Sequence, residues 1–182
     1  MADQTNGRSP RAQQIVETAR ALLEEEGVGA LTMRRLADRL GIKAPSLYKH
    51  FPDKRAVEVA LISLLFEELA EALEAAEAAE ADSSGARDPL TELFAAYRTY
   101  ALAHPHLYRL STEGPLPREA LPEGLEERAA MPLVRVCDGS EHLSRAVWAF
   151  AHGMVALEIH GRFPPGADLD KAWRTGLAAF SG

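Results

Sequence analysis

The sequence contains a single cysteine, Cys137, and no apolar run long enough to cross a lipid bilayer. One thiol cannot form a disulfide within the chain, and it suits a reducing compartment. The longest apolar stretch, residues 60–66, is interrupted by Ser63 and falls far short of the roughly 20 residues of a membrane helix. Nothing before Arg11 resembles the apolar core of a signal peptide. These absences predict a cytoplasmic protein without membrane association.

The sequence also lacks the short motifs of common enzyme classes. It has no G-x-S-x-G, no phosphate-binding glycine loop, no Rossmann fingerprint and no Glu-x-x-His repeat. His104 and His106 form an H-x-H pair without a third metal ligand at a suitable spacing. Cys137 lies near Asp138 and His142, but no activating context accompanies it. We therefore predict no enzymatic activity, no metal and no cofactor.

Negative charge dominates the chain but is unevenly distributed. The net charge is −7, yet residues 1–55 hold ten basic and seven acidic side chains, a balance of +3. The remaining residues therefore carry −10, whereas residues 32–55 alone carry +5, from seven basic and two acidic side chains. A basic segment attached to an acidic body indicates a nucleic-acid partner, although charge runs also occur on simple solvated faces.

Apolar residues recur at helical spacing along most of the chain, and sustained alternation is absent, so we predict an all-α fold. Residues 1–8 are polar and predict a disordered arm. Ser9-Pro10 predicts the first helix start, and Asp53 a cap for a long helix reaching about Ala81. Asp138 and Glu141 predict a capping pair for a helix over 140–160. Residues 111–124, rich in proline and glycine, predict a mobile loop.

A helix-turn-helix is predicted at residues 32–51, which run TMRRLADRLGIKAPSLYKHF. Small Ala37 allows the two helices to cross closely, and Gly41 suits the turn between them. Ile42 and Leu47 hold the pair together, which turns the polar face of the second helix outward. Two helices with a glycine turn also occur as plain structural hairpins, and the arginines of the first helix suit either solvent or DNA. The basic excess favours DNA binding.

The stretch TMRRLADRLGIKAPSLYKHFPDKRAVEVAL resembles the DNA-binding domain of the TetR family of transcriptional regulators, over about residues 11–60. LYKHFPDK is similar to the most specific signature of that family. HPHLYRL and AVWAFAHGMVALEIHG resemble the subgroup named for its Trp, His and Gly, here Trp148, His152 and Gly153. The resemblance implies a homodimer with a helix-turn-helix DNA-binding domain at 9–55 and a ligand-binding and dimerisation domain at 56–182.

The resemblance implies DNA contacts for nine residues of the first domain. Thr32 and Lys54 are expected to contact phosphates at helix starts, where backbone amides favour anions. The full set is Thr32, Lys43, Ala44, Pro45, Ser46, Tyr48, Lys49, His50 and Lys54. Two alternatives stay open: Tyr48 packs its ring beneath the helix, and His50 fills space near Phe51.

A helix over residues 146–157 is predicted to be apolar on nearly all sides, so it must be covered all round. One side is expected to pack within its own domain and the other against a second copy, in a four-helix dimer interface. The predicted interface residues are Ala149, Gly153, Ala156, Trp173, Leu177 and Phe180. The alternative is that this segment is only the central core helix of its domain.

Aromatic and flexible apolar side chains, together with a few polar groups, are typical of small-molecule pockets. The predicted ligand contacts are Phe94, Tyr97, Tyr100, Tyr108, Trp148, His152 and Met154. The same residues also suit a core, and a histidine on an apolar helix is often a core residue. The family resemblance favours a pocket among them.

Together these features predict a ligand-responsive repressor. Two recognition helices, one per protomer, would contact half-sites of a near-palindromic operator about one DNA turn apart, roughly 34 Å, or a multiple of it. A small-molecule effector would release the DNA, with the long helix from Asp53 as the transmitting element. The first alternative is a helical protein–protein adaptor or co-regulator with a vestigial helix-turn-helix; a small helical enzyme is the second. Salt-sensitive DNA binding separates the repressor from the adaptor.

Overall fold

The computed structural model describes residues 8–82 and 88–180, and all regular structure in these residues is helical. The all-α prediction is therefore confirmed. The predicted disordered arm lies outside the described residues, apart from Arg8.

Nine α-helices and two short 3₁₀ helices follow one another along the described chain. The α-helices are α1 Pro10–Glu26, α2 Met33–Arg39, α3 Ala44–Tyr48, α4 Lys54–Asp82, α5 Pro89–Ala103, α6 Pro105–Thr112, α7 Leu125–Val136, α8 Glu141–Ile159 and α9 Leu169–Ala178. The 3₁₀ helices are Val28–Ala30 and Arg118–Ala120. The second of them lies within residues 111–124, which are predicted as a loop, and no local pattern indicates it.

Polar side chains begin most of these helices, as their local sequence predicts. Oxygens of Ser9, Thr32 and Asp53 each accept a hydrogen bond from the backbone N–H three positions on, at 2.8–3.3 Å. These bonds satisfy donors that have no partner inside a first helical turn. The caps predicted at Ser9 and Asp53 are therefore confirmed.

The capping pair predicted for α8 is wrong. Ser140 caps this helix instead, since its Oγ accepts from the backbone N–H of Leu143 at 3.3 Å. Asp138 adopts a left-handed conformation (φ 52°), and its backbone N–H donates to the carbonyl of Arg135 at 3.0 Å. Asp138 therefore belongs to the turn that ends α7.

The described chain divides into two compact units. The first unit comprises the described part of residues 1–65 together with His106–Pro122, so α6 belongs with α1, α2, α3 and the start of α4. Its core includes Ile15, Leu23, Leu36, Leu47, Leu61 and Leu107, each at most 1% exposed. Burial of such side chains contributes about 1.5–3 kcal/mol apiece, so this core holds the helix-turn-helix helices in place.

The second unit contains the remainder of α4, with α5, α7, α8 and α9. Its core includes Leu93, Phe94, Val147, Ala151, Val155 and Leu177. The acidic end of α4 takes part in this unit: Glu74 accepts two hydrogen bonds from Arg128 at 2.6 and 2.8 Å. Glu77 accepts two from Arg135 at 2.5 and 2.6 Å. This acidic segment therefore pairs with α7 and is not simply a solvated tail.

The described helices include none long and apolar enough to cross a membrane.

Candidate nucleic-acid interface

The turn between α2 and α3 is closed by two backbone hydrogen bonds. The N–H of Gly41 donates to the carbonyl of Asp38 at 3.1 Å, and the N–H of Ile42 donates to the carbonyl of Ala37 at 3.0 Å. Gly41 has φ +64°, a conformation that side chains disfavour. This pattern ends a helix with a left-handed glycine, and it fixes the direction in which α3 begins.

Helix α3 has one buried face and one exposed face. Leu47 is fully buried, and on α2 Leu36 and Ala37 are 1% and 2% exposed. Pro45 and Ser46 lie exposed at the start of α3. Pro45 fits there because the first turn of a helix needs no N–H from it. The buried face therefore fixes which side chains α3 presents to solvent.

The polar side chains predicted to contact DNA lie on the exposed side. Lys43, Tyr48, Lys49 and His50 are all exposed, and Tyr48 keeps 50% of its surface accessible. This exposure does not fit the alternatives in which Tyr48 packs its ring beneath the helix and His50 fills space near Phe51. Ala44 is half-buried.

Two predicted phosphate contacts already have partners within the chain. The exposed hydroxyl of Thr32 caps α2 at its N-terminus, where the helix dipole favours an anion. The ammonium of Lys54 lies 3.0 Å from a carboxylate oxygen of Glu58, one turn along α4. An exposed pair of this kind contributes about 0.3–0.5 kcal/mol, so a phosphate can compete with it.

Four of the seven basic residues of this region divide into two groups. Arg39 donates to Glu25 at 2.5 and 2.6 Å, and Arg35 pairs with Glu26. The hydrogen bond that Arg39 donates to Glu25 raises the pKa of Arg39. Lys43 and Lys49 make no ion pair within the described residues. The lysines at the turn and at the end of α3 are therefore available for phosphate, whereas the two arginines fasten α2 to α1.

A polar, cationic face on the second helix of a glycine-turn pair is the arrangement with which helix-turn-helix proteins contact DNA. The first unit therefore defines a DNA-binding protein of the helix-turn-helix class. Two family models identify it further. Residues 15–61 match the model for bacterial regulatory proteins of the tetR family. Residues 90–180 match the tetracyclin repressor-like C-terminal domain. The chain belongs to the TetR family of transcriptional regulators.

Individual relatives agree with this assignment. The chain is 34% identical over 161 residues to the HTH-type transcriptional regulator Rv0681 of Mycobacterium tuberculosis, covering 81% of this chain and 69% of that protein. It is 46% identical over 59 residues to the class C tetracycline repressor of Escherichia coli, covering 32% of this chain and 23% of that protein. The structure is similar to that of a possible TetR family transcriptional regulator from Streptomyces coelicolor A3(2), with 26% identity and a TM-score of 0.63 over 88% of this chain and 78% of that one. The subgroup named for Trp, His and Gly stays a prediction.

The seven predicted ligand residues are distributed over both units. Tyr108 is buried in the first unit, while the other six lie in the second. Phe94 and Tyr97 are buried core residues whose rings meet edge-on, 5.7 Å apart. The hydroxyl of Tyr100 donates to Glu68 at 2.8 Å, and Met154 is half-buried on α8. These positions support the core interpretation of Phe94, Tyr97 and Tyr108.

Trp148 and His152 form a separate, partly exposed pair on α8. Their rings stack 5.7 Å apart at an interplanar angle of 20°, and Trp148 is 49% exposed. Burial lowers the pKa of His152, which favours its neutral form. An exposed indole beside a neutral imidazole offers an apolar, polarisable surface.

The predicted dimer residues also divide into two groups. Ala149 is exposed, Ala156 is half-buried, and Gly153 has open space where a side chain would begin. Trp173 and Leu177 are only 5% and 2% exposed. These two pack inside the second unit and have little surface left for a partner. Phe180 is half-buried, and its ring lies 5.9 Å from that of Phe150.

A groove of about 650 Å³ lies in the first unit. It is lined by the start of α4 and by residues 120–122, and His50 and Arg55 lie on its border. None of the seven predicted ligand residues lines it. The groove escaped the sequence analysis because its two sides are separated by about 60 positions in the chain.

The polar network that holds α9 in the second unit is not apparent from the sequence. Glu158 accepts hydrogen bonds from Arg98 at 2.8 and 3.1 Å and from the indole N–H of Trp173 at 2.6 Å. Arg98 also donates to Asp170 at 2.7 Å and lies over the Trp173 ring. Burial opposes the charge on Arg98, but these hydrogen bonds outweigh it and raise its pKa.

Proposed function

We propose that the protein is a repressor that binds a near-palindromic operator as a homodimer and is released by a small-molecule effector. The observation that carries the proposal is the exposed polar face of α3, fixed by burial of Leu47 on its other side. Lys43 and Lys49 supply positive charge without internal partners in the described residues. Membership of the TetR family supports a regulatory role over the adaptor alternative.

The nine DNA-contacting residues of the sequence analysis form part of this proposal. Ser46 and Pro45 lie at the start of α3 and would approach base edges, because recognition helices present their first residues to the major groove. Lys49 and His50 follow the helix and would contact phosphates. The proposed DNA-binding domain, residues 9–55, lies within the first unit, and residues 56–182 would supply ligand binding and dimerisation.

Dimerisation is proposed through the outward face of α8. Ala149, Gly153 and Ala156 recur at helical spacing on the side opposite the buried Val147, Ala151 and Val155. Small residues permit close helix approach, and the exposed Trp148 and Leu157 (49% and 43%) add apolar surface beside them. Closed two-fold symmetry is the commonest arrangement for such interfaces.

The effector is proposed to bind in the second unit. One structural relative is a multidrug binding protein complexed with imidazole, and another is a TetR variant from Acinetobacter baumannii AYE in complex with minocycline; their identities with this chain, 20% and 24%, support a shared fold. We propose that the chain has no catalytic activity, since its family consists of transcriptional regulators.

The proposal is tested by selecting bound duplexes from a genomic or random DNA pool at moderate salt. The expected result is an enriched near-palindrome whose affinity falls steeply with salt, because each phosphate contact releases counterions. Sedimentation of the complex should give two chains per operator. A folded protein that enriches no sequence, or binds DNA without salt dependence, would favour the adaptor alternative.

A further inference from the structure

Three consecutive glutamates end α1, where a helix dipole disfavours negative charge. Glu24, Glu25 and Glu26 each have a partner that offsets this cost. Glu25 pairs with Arg39 and Glu26 with Arg35, both on α2. Glu24 points to a different helix, α6. The last turn of α1 therefore holds the first helix of the helix-turn-helix on one side and α6 on the other.

The contact between Glu24 and α6 is a helix cap supplied from outside the helix. One carboxylate oxygen of Glu24 accepts from the backbone N–H of His106 at 3.2 Å, and the other accepts from that of Leu107 at 2.9 Å. First-turn amides have no partner within their own helix. A carboxylate there gains both the hydrogen bonds and the attraction of the helix dipole. Glu24 therefore stabilises the docked position of α6.

The packing around this contact is specific. Leu107 is fully buried in the first unit. Gly27 has φ +80°, and a Cβ there would lie 3.5 Å from the His106 ring. The Nδ1 atom of His106 is buried without a hydrogen-bond partner in the described residues. The Nδ1 atom of the imidazole therefore adds no hydrogen bond that would orient α6 on α1, whereas the Glu24 carboxylate accepts two from the α6 backbone.

We propose that Glu24 is a positioning residue that couples the docking of α6 to DNA binding by α2 and α3. The carboxylates that hold α2 and α6 occupy successive positions of one helical turn, so a shift of α6 is transmitted to Arg35 and Arg39. Helix α6 follows directly from α5 of the second unit. This inference rests on the proposed DNA-binding function, and it assigns the coupling to one side chain.

Hydrogen exchange tests the coupling without any knowledge of the effector. Coupled equilibria are reciprocal, so operator binding must stabilise docked α6 if docked α6 favours operator binding. Saturating operator should slow exchange of the His106 and Leu107 amides about fivefold or more in the unchanged protein. In Glu24→Ala this slowing should disappear, and the operator Kd should rise by a similar factor.

Two further variants separate coupling from general effects. Glu17→Ala removes the same charge from an exposed position of α1 and should retain both the slowing and the operator affinity. Glu24→Gln keeps the side-chain length and one acceptor oxygen, and it should show partial loss even if the alanine variant folds poorly. Circular dichroism checks the fold of each variant.

The outcomes distinguish this inference from the proposed function. A protein that binds no operator contradicts the proposed function itself. Tight operator binding with equal slowing at His106 and Leu107 in Glu24→Ala and the unchanged protein would overturn the coupling alone. So would tight binding without any slowing at these amides.

Discussion

The ring of Phe150 on α8 lies directly against the backbone of Gly176 on α9, in the space that a Cβ of residue 176 would occupy. The contact belongs to an aromatic cluster in which Phe150 also meets Trp173 edge-on, at 5.7 Å. A glycine in the middle of a helix costs about 1 kcal/mol relative to alanine. The close approach of the two helices explains why a glycine is present here.

Gly176→Ala should therefore destabilise the protein in spite of its higher helix propensity. Overpacking against an aromatic ring costs about 1–3 kcal/mol in the free energy of unfolding, which exceeds the propensity gain. Urea unfolding measures the change. Gly153→Ala is the matched control at concentrations where the chain is monomeric, since an added Cβ there meets no atom of its own chain within 4 Å. Equal stability of the two variants would contradict the packing argument.

Lys49→Ala and Ser46→Ala should weaken DNA binding in different ways. Loss of the lysine should weaken binding to all sequences and reduce the salt slope by about 1, because one phosphate contact is removed. Loss of the serine hydroxyl should reduce the free-energy discrimination between bases at one operator position by about 1 kcal/mol. Binding titrations over a range of salt and operator sequences measure both effects.

Lys171→Ala is the control for that pair, because Lys171 is an exposed lysine on α9 in the second unit. This substitution removes the same positive charge, but from a position far from the helix-turn-helix in the sequence. If Lys49→Ala and Lys171→Ala have the same effect on the salt slope, only net charge matters and the assignment of α3 is wrong.

Gly153→Leu should disrupt the proposed dimer while leaving each chain folded. The position has open space within its own unit, so a larger side chain should obstruct only a partner copy. Analytical ultracentrifugation should show a dimer Kd raised about tenfold or more. Ala95→Leu, at an exposed position of α5, should dimerise normally. A Gly153→Leu protein that remains fully dimeric would exclude this face as the interface.

Glu158→Ala should be among the most destabilising polar substitutions in the second unit. The Glu158 side chain is 7% exposed, and its removal leaves the Arg98 guanidinium and the Trp173 indole N–H without this acceptor. Loss of a buried ion-pair partner costs about 3–5 kcal/mol. Asp170→Ala removes another partner of Arg98, but Asp170 is 71% exposed and should cost at most about 1 kcal/mol. Similar thermal stability of the two variants would contradict this ranking.

Acid should remove the stabilisation supplied by the pairs between α4 and α7. Hydrogen bonds from Arg128 and Arg135 lower the pKa values of Glu74 and Glu77 below the ordinary 4.5. The folded state therefore binds these protons less readily than the unfolded state. The contribution is complete above the unfolded-state pKa and is lost as the pH falls through the folded-state values.

The double variant Glu74→Gln, Glu77→Gln should accordingly have a lower Tm than the unchanged protein near neutral pH. The difference should shrink as the pH falls below 4.5. Each pair is partly exposed, so its contribution is at most about 1 kcal/mol. Glu123→Gln, at an exposed position, should leave the Tm unchanged throughout. A constant difference between the double variant and the unchanged protein across this pH range would contradict the linkage.

Local signals made the helix-turn-helix predictable. Ser9, Asp53 and Gly41 act on backbone groups within a few positions, so the sequence alone indicates the helix ends and the turn. The contact between Glu24 and His106 joins residues 82 positions apart, and that between Arg98 and Glu158 joins residues 60 apart. No local pattern specifies which of the three consecutive glutamates at the end of α1 forms a hydrogen bond with a distant helix.

Composition was a weaker guide in the second unit. An aromatic residue on an amphipathic helix suits a core, a pocket or an interface equally, since each of them buries apolar surface. The structure buries Phe94 and Trp173 but leaves Trp148 half-exposed. The difference depends on how α5, α8 and α9 pack, and the sequence does not determine that packing by spacing alone.

Residues His106–Pro122 belong to the first unit although they follow α5 of the second unit in the chain. This arrangement limits how regulators of this kind can be recombined. A chimaera joined within α4 would take its operator preference from one parent and its α6 from the other. The carboxylate at position 24 would then meet a helix start that it did not evolve with. Functional hybrids should be easier to obtain when residues 106–122 are transplanted together with the N-terminal segment, so the exchangeable module is discontinuous in sequence.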